Sequence, residues 1–242
     1  MDLSVAKLND RGGRKYNEDY CFYRLVGDGG CFVLADGLGG HQGGATASKL
    51  TVETILDFYS YKPGTSATGM EQLFEKAAYT LQEEKNKTPG LRDMRTTVVL
   101  LIIDQAKAHW AHIGDSRLYR FCNNALADQT RDHSVPQMLA DSGEIRAEEI
   151  RYHEDRNRLL RAFSGDSVEQ VELNDKAVEI FKGDAFLLCS DGFWEYVLEP
   201  EMEEDLKKSN TAEQWLAFME RRLCGRVEPG HDNYSALAVI VQ

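Results

Sequence analysis

Cys31-Phe-Val-Leu-Ala35 runs directly into Asp36-Gly37 and then into the glycine-rich stretch Leu38-Gly-Gly-His-Gln-Gly-Gly44. A continuous apolar run of this length is typical of a strand that is buried on both faces. The glycines predict a turn, and the apolar positions beyond them recur at roughly helical spacing over about 45–59. The stretch therefore predicts a buried strand, a carboxylate where the strand ends, and a helix after the turn.

Further strands and helices follow from the same patterns on both sides of this stretch. The predicted strands cover 3–8, 20–26, 96–103, 108–113, 117–121, 168–173, 177–181, 185–190 and 235–241. The predicted helices cover 69–87, 134–142, 146–152, 200–208 and 211–224. Strands and helices do not alternate as in a doubly wound fold. Helix pairs between runs of strands instead indicate an α+β protein with sheets packed on each other and helices outside.

The segment at about 130–165 differs from its surroundings, because it is polar and rich in charged residues. We interpret it as a small flap on one domain that spans residues 1–242, rather than as a second core. Two of its histidines, His133 and His153, are candidates for contacts with a substrate, although histidines on a surface often have no such role.

Composition limits the classes of partner and compartment. Hydrophobic residues make up 42% of the 242 residues, enough for a sizeable core, and the formal net charge of −12 disfavours nucleic acid as a partner. The five cysteines show no Cys-x-x-Cys pair, so we predict buried, inert thiols in a reducing compartment. The N-terminus does not resemble a signal peptide and no apolar stretch approaches about 20 residues. We therefore expect a cytoplasmic protein that does not enter a membrane.

Aspartates stand where several predicted strands begin or end. Asp36, Asp115 and Asp191 follow apolar strands, and Asp232 precedes the last strand. Each alone is explained as a turn residue, since Asp-Gly is a common turn pair. Gathered at one edge of the sheets, however, these carboxylates would repel one another unless cations lay between them. Oxygen ligands suit Mg²⁺ or Mn²⁺, and no His or Cys cluster in the sequence favours zinc.

Five motifs in chain order, spanning residues 14 to 235, resemble those of the metal-dependent protein phosphatases (the PPM, or type 2C, family). They are Arg14-Lys-Tyr-Asn-Glu18-Asp19, Ala35-Asp36-Gly37-Leu-Gly-Gly-His41, Gly114-Asp115-Ser116-Arg117-Leu-Tyr119, Ser190-Asp191-Gly192 and His231-Asp232-Asn233-Tyr-Ser235. Each is weak alone, but the five in order are specific. The compact length and the Asp-Gly-Leu-Gly-Gly-His form are similar to stand-alone bacterial members.

The resemblance implies a four-layer αββα sandwich, in which two packed antiparallel sheets are flanked by helix pairs. It also implies two, or with a weaker site three, Mn²⁺ or Mg²⁺ ions and a role for each matched residue. Asp36 would bridge two ions, and Arg14 would contact the phosphate of the substrate. The other implied ligands are the Gly37 carbonyl, Asp191 and Asp232 for the first ion, Glu18 and Asp19 for the second, and Asp115 with Asp191 for the third.

These roles are chemically consistent with hydrolysis of a phosphoserine or phosphothreonine by water. Metal ions lower the pKa of water, and an arginine can make a two-pronged contact to phosphate oxygens. The sequence departs from some family members at Leu38, where they carry a histidine proposed as the general acid. His41 in the same loop could replace it, a metal-bound water could serve instead, or His41 could only shape the loop.

Other functions fit less well. The glycine-rich stretch lacks a glycine where Gln42 stands, and no P-loop lysine follows, which argues against nucleotide binding. Cys189 is not followed by an arginine-bearing phosphate loop, so a cysteine phosphatase is excluded. A silent relative that only binds phosphoproteins, and a phosphatase for small phosphoesters, both stay open. Phosphorylated proteins are the expected partners, together with an opposing serine/threonine kinase.

Overall fold

The computed structural model of the chain describes residues 2–40, 42–61, 67–174 and 176–242, with backbone only at positions 42, 67 and 68. The strands in chain order are β1 (Leu3–Asp10), β2 (Asp19–Val26), β3 (Gly29–Leu38), β4 (Arg95–Thr96), β5 (Val98–Asp104), β6 (Lys107–Ile113), β7 (Arg117–Cys122), β8 (Ala125–Gln129), β9 (Glu172–Leu173), β10 (Val178–Glu179), β11 (Ala185–Cys189) and β12 (Tyr234–Val241). The helices are α1 (Gln42–Tyr61), α2 (Ala67–Lys87), α3 (Val135–Ser142), α4 (Asp191–Trp194), α5 (Glu199–Lys207) and α6 (Ala212–Cys224), with 3-10 turns at Pro89–Leu91 and Ala147–Tyr152.

The strands form two antiparallel sheets. One sheet has the strand order β1-β12-β11-β7-β8. The other has the order β10-β6-β5-β3-β2, with β4 beside β3 and β9 beside β6. The order brings β11 and β12, at the end of the chain, against β1 and β7, so strands far apart in sequence share one sheet.

Side chains that alternate between the two faces of the central strands explain why the fold has a sheet-on-sheet core and helices outside. In β3, Phe32 and Leu34 pack between the two sheets, whereas Cys31, Val33 and Ala35 pack against α1 and α2. Successive side chains of a strand point to opposite faces, so a strand that is apolar at every position is covered on both sides. The same alternation in β12 divides its side chains between the inter-sheet core and the core under α5 and α6. The predicted αββα sandwich is confirmed.

Local differences from the predicted elements have identifiable causes. The predicted strand 96–103 is divided, because Thr96 exchanges two backbone hydrogen bonds with Phe163 before β5 begins. The predicted strands 168–173 and 177–181 shorten to β9 and β10, which each pair with β6 alone at the sheet edge. The sequence reasoning missed β8, although Asn123 and Asn124 both have positive φ, as a two-residue hairpin turn requires.

The thiols and the helices test two of the compositional predictions. All five cysteines are free, and three are buried as predicted, but Cys122 is only partly buried and Cys224 is exposed. Burial raises the pKa of the Cys21 thiol to about 12, which makes it unreactive. Within the described residues, no helix combines the length and the apolar character that a membrane span requires.

Candidate metal centre

The strand order brings the predicted aspartates to one end of the sandwich. Asp36 near the end of β3 lies opposite Asp19 at the start of β2 in the antiparallel register. Asp115 lies in the turn between β6 and β7, Asp191 follows β11, and Asp232 precedes β12. Because both sheets contribute, the carboxylates meet where the two sheets face each other.

A cleft of ≈ 230 Å³ opens at this end. Its lining residues are Arg14, Glu18, Asp36, Gly37, Leu38, Gly39, Gly40, Asp115, Asn157, Leu159, Asp191, Asp232 and Asn233. Seven of the predicted site residues therefore line one space. Asp19 lies beneath it, 5% exposed, where its Oδ2 accepts a hydrogen bond of 2.7 Å from the Ser190 hydroxyl. His41 lies outside the described residues.

Burial perturbs the acidity of these carboxyl groups. Burial raises the pKa of Asp36 and of Asp115 well above the ordinary value of 3.8, and repulsion by neighbouring carboxylates adds to it. Burial also raises the pKa of Asp19 to about 7 and that of Asp191 to about 6. Divalent cations would offset this repulsion, and carboxylate and carbonyl oxygens are ligands that Mg²⁺ and Mn²⁺ prefer. The donor set therefore fits such ions.

Hydrogen bonds to the neighbouring threonines hold the backbone of Asp36 in place. Its N–H donates to the Thr97 hydroxyl at 2.9 Å, and its carbonyl accepts from the Thr97 N–H and the Thr96 hydroxyl, both at 2.8 Å. Gly37 follows, and a β-carbon there would collide with the backbone of Gly44 and of Glu18. The close approach of three backbone segments explains why glycine follows the aspartate.

Arg14 lies at the rim of the cleft, with about half of its side chain exposed. Its Nη2 donates to Asp232 Oδ2 at 2.8 Å. A guanidinium group has five N–H donors, so this ion pair leaves donors for a phosphate in the cleft. The contact also orients the arginine, which would reduce the entropy cost of binding an anion there.

Asn233 is a site residue to which the sequence assigned no role. It is 6% exposed, and its Nδ2 donates to the carbonyls of Arg11 and Tyr16 at 2.8 and 2.9 Å. Its Oδ1 accepts from the N–H of Glu18 at 2.8 Å. One side chain thus fixes the loop that carries Arg14 and Glu18. The adjacent Asp232 was a hint, but the partners lie more than 200 residues away in sequence.

Replacement of Asn233 by alanine is expected to destabilise the protein by about 2–3 kcal/mol, because three partly buried hydrogen bonds to the backbone would be lost. The affinity for Mn²⁺ should fall as well, since the loop that presents Glu18 would be released. Urea unfolding and calorimetric titration measure the two effects. The matched control is Asn210→Ala at an exposed position. Unchanged Mn²⁺ affinity in Asn233→Ala would show that the hydrogen bonds of Asn233 do not contribute to metal binding in the cleft.

A histidine cluster also lies close to Gly114 and Asp115. His112, His133 and Glu172 place one potential metal-binding atom each within 4.8 Å of one another, which sequence reasoning did not anticipate. The two imidazole rings stack at 4.7 Å. His133 Nδ1 accepts a hydrogen bond from the N–H of Gly114, so Nε2 carries the proton and faces Glu172 at 3.3 Å. Burial and the neighbouring His112 lower the pKa of His133. A neutral histidine in this tautomer supports the turn rather than binding a metal.

Comparison with known proteins identifies relatives along almost the whole chain. The family model described as protein phosphatase 2C matches residues 11–228. A serine/threonine phosphatase stp of Listeria monocytogenes serotype 4b (strain F2365) is 34% identical over 248 residues, which cover 95% of this chain and 92% of the relative. The serine/threonine protein phosphatase PstP of Mycobacterium tuberculosis (strain H37Rv) is 31% identical over 243 residues, which cover 99% of this chain and 45% of the relative.

Solved structures agree with these relatives. The crystal structure of the Mycobacterium tuberculosis serine/threonine phosphatase PstP/Ppp superimposes with a TM-score of 0.87 at 30% identity and covers all of both chains. The catalytic domain of PstP in complex with two manganese ions gives a TM-score of 0.84 at 30% identity, with 99% of each chain covered. Matched along its length by the family model and by these relatives, this chain belongs to the protein phosphatase 2C family.

Proposed function

We propose that the chain is a divalent-metal-dependent phosphatase that removes phosphate from serine or threonine side chains of proteins. The observation that carries the proposal is the cluster of mutually repelling carboxylates that lines one cleft together with Arg14. The relatives named above are serine/threonine phosphatases, which supports the same substrate class. The whole chain acts as one catalytic domain, and the segment at about 130–165 covers one side of the cleft through Asn157 and Leu159.

The residues that would hold the ions are those predicted from the sequence. Asp36, the Gly37 carbonyl, Asp191 and Asp232 would hold one ion, and Asp36 with Glu18 and Asp19 would hold the second. Asp115 beside Asp191 is the candidate for a third ion. Bound Mn²⁺ or Mg²⁺ supplies an activated water near neutral pH and offsets negative charge on the phosphoryl group.

The chain itself positions the reacting groups. Arg14 binds phosphate oxygens at the rim of the cleft, and Asn233 and the two threonines beside Asp36 keep the ligands in place before substrate arrives. Preorganised groups of this kind need no rearrangement during the reaction. Leu38 in the cleft wall cannot donate a proton, so the candidates for the general acid are His41 and a water held by a bound ion. If His41 is the acid, His41→Asn should slow phosphothreonine hydrolysis more than hydrolysis of p-nitrophenyl phosphate, whose leaving group needs no proton; equal slowing would assign the role to the water and leave His41 to shape the loop.

The partners follow from the substrate class. Proteins that carry phosphoserine or phosphothreonine are products of a serine/threonine kinase, so such a kinase supplies the substrate of this phosphatase. The free thiols are suited to a reducing compartment, and we place the protein in the cytoplasm.

Release of phosphate from phosphothreonine peptides tests the proposal. EDTA-treated protein is expected to be inactive, and activity should return on addition of Mn²⁺. Well-folded protein that releases no phosphate from several peptides with Mn²⁺ present would instead support a silent relative that binds phosphoproteins. Turnover confined to small phosphoesters would support the other open alternative.

Metal-free protein is expected to lose stability relative to an Asp191→Asn variant as the pH rises from about 4 to about 7. The folded-state pKa is about 6 for Asp191 and about 7 for Asp19, against an ordinary value of 3.8. The folded chain therefore holds more protons than the unfolded chain in this window, and its free energy of unfolding falls as the pH rises. Below about pH 4 both states are protonated and this contribution to stability is complete.

Melting temperatures of the wild type and of Asp191→Asn in EDTA, measured from pH 4 to pH 7.5, show how the difference in their stability changes with pH. Stabilisation by Mn²⁺ should grow over the same interval, because the ligands must lose their protons to bind a cation. A difference between the two proteins that stays constant with pH would show that Asp191 has an ordinary pKa in the folded state.

A further inference from the structure

A second cleft adjoins the candidate metal centre. Its volume is ≈ 340 Å³, and Arg95, Arg158 and Arg161 line it. Four other residues, Leu38, Gly39, Asn157 and Leu159, line both this cleft and the first one. The two spaces are therefore neighbours with a shared wall, and a peptide bound in one would extend into the other.

The charges of the second cleft are of one sign. Arg95, Arg158 and Arg161 are its charged residues among those described, and no carboxylate lines it. All three are exposed, and among the described residues none of the three forms a salt bridge. Arginines elsewhere in the chain, such as Arg117 and Arg151, are paired with acids. Three unpaired cations in one cleft are unusual for a chain with a formal net charge of −12.

The backbone that carries these arginines is held in place. Arg95 lies in β4 opposite Leu38, one position beyond Gly37 in the β3–β4 register. The carbonyl of Arg158 accepts from the N–H of Val135 at 2.9 Å, and the N–H of Leu160 donates to the His133 carbonyl at 2.8 Å. Phe163 exchanges hydrogen bonds of 3.0 and 2.8 Å with Thr96. Its buried ring packs edge-on against Phe74.

We propose that this arginine cluster is a substrate subsite for a second anionic group, a carboxylate side chain or a second phosphate, near the phosphorylated residue. The proposal rests on the phosphatase function proposed above. Guanidinium groups bind both anions through paired hydrogen bonds, and three of them without counterions gain more from an anion than ion-paired arginines would. An extended peptide advances about 3.3 Å per residue, so the neighbouring cleft selects side chains a few positions from the reacting one.

The experiment compares kcat/KM for matched phosphothreonine peptides with alanine, glutamate or a second phosphothreonine at each position within four residues of the target. The wild type is expected to favour an anionic neighbour at one or two positions by roughly tenfold, the size of one charged hydrogen bond. Preference for glutamate identifies a carboxylate subsite. Preference for the second phosphate alone identifies a site for a dianion.

The variants are Arg95→Gln, Arg158→Gln and Arg161→Gln, singly and together. The triple variant is expected to lower the ratio of kcat/KM between anionic and alanine peptides to about one. Arg161→Glu should shift preference towards lysine-containing peptides. The control for the single glutamine variants is Arg92→Gln, which removes one positive charge at an exposed position that does not line the cleft, and which should keep the ratio.

Two failures can be told apart. Equal kcat/KM for all peptides in the wild type, or an unchanged ratio in the triple variant, would overturn the subsite while leaving the phosphatase function intact. No phosphate release from any peptide or from p-nitrophenyl phosphate would overturn the phosphatase function itself.

Discussion

Asp36→Ala is expected to lower kcat/KM for a phosphothreonine peptide roughly a thousandfold or more, because the variant would lose the carboxylate that we propose as a ligand of both ions. Asp36 lies opposite Asp19 and lines the same cleft as Asp191. Its backbone is held by Thr96 and Thr97, so the protein cannot easily supply a replacement carboxylate at this point. Phosphate release at saturating Mn²⁺ measures the loss.

Asp36→Asn separates a catalytic loss from a folding defect. The amide keeps the size of the side chain but removes one member of a buried, mutually repelling group, so the metal-free variant should be at least as stable as the wild type. It should also lose the stabilisation by Mn²⁺. The control is Asp57→Asn, at an exposed aspartate on α1 that pairs with Arg24. Near-wild-type turnover by a folded Asp36→Asn protein would contradict the assignment.

Arg117→Met is expected to destabilise the protein by about 3–5 kcal/mol, because it leaves a buried carboxylate without its partner. Arg117 and Asp132 are each less than 5% exposed and are joined by two hydrogen bonds of 2.8 Å. The guanidinium also stacks over the Trp194 ring, 3.5 Å from its centroid. The indole N–H of Trp194 donates to the Asp115 carbonyl at 3.0 Å, so the pair supports the metal centre as well.

Urea unfolding of three variants tests this account of the pair. Arg24→Met breaks an exposed ion pair and should cost less than about 1 kcal/mol. Arg117→Met with Asp132→Leu removes both charges and should recover most of the stability that Arg117→Met loses. If Arg117→Met costs no more than Arg24→Met, the buried pair has no structural role.

The layers of the fold could be predicted because they depend on local pattern. A strand such as Cys31–Ala35 is apolar at every position, and only a strand covered on both faces has that composition. The edge elements could not be predicted as well. β9 and β10 depend on pairing with β6, which is distant in the sequence. The short helix α4 begins at Asp191-Gly192, and an Asp-Gly pair is equally typical of a turn.

The candidate site, like the fold, could be predicted from the sequence only in part. Aspartates at strand ends could be found from the sequence, since antiparallel strands in packed sheets place their ends together. The residues that hold these aspartates and their loops in place could not be predicted, because Asn233 and Ser190 form hydrogen bonds with backbone and carboxylate groups more than 170 residues away in the sequence. The cluster of His112 and His133 forms where strand β6 meets the start of the segment at about 130–165. The two histidines are too far apart in the sequence for their spacing to predict the contact.

The most direct test of the metal centre is the number of Mn²⁺ ions bound by EDTA-stripped protein, counted by electron paramagnetic resonance of the free ion at neutral pH. Two or three ions per chain in the wild type, with fewer in Asp36→Asn and an unchanged number in Asp57→Asn, is the result that the account predicts. No bound Mn²⁺ in folded wild-type protein, or equal binding by wild type and Asp36→Asn, would contradict it.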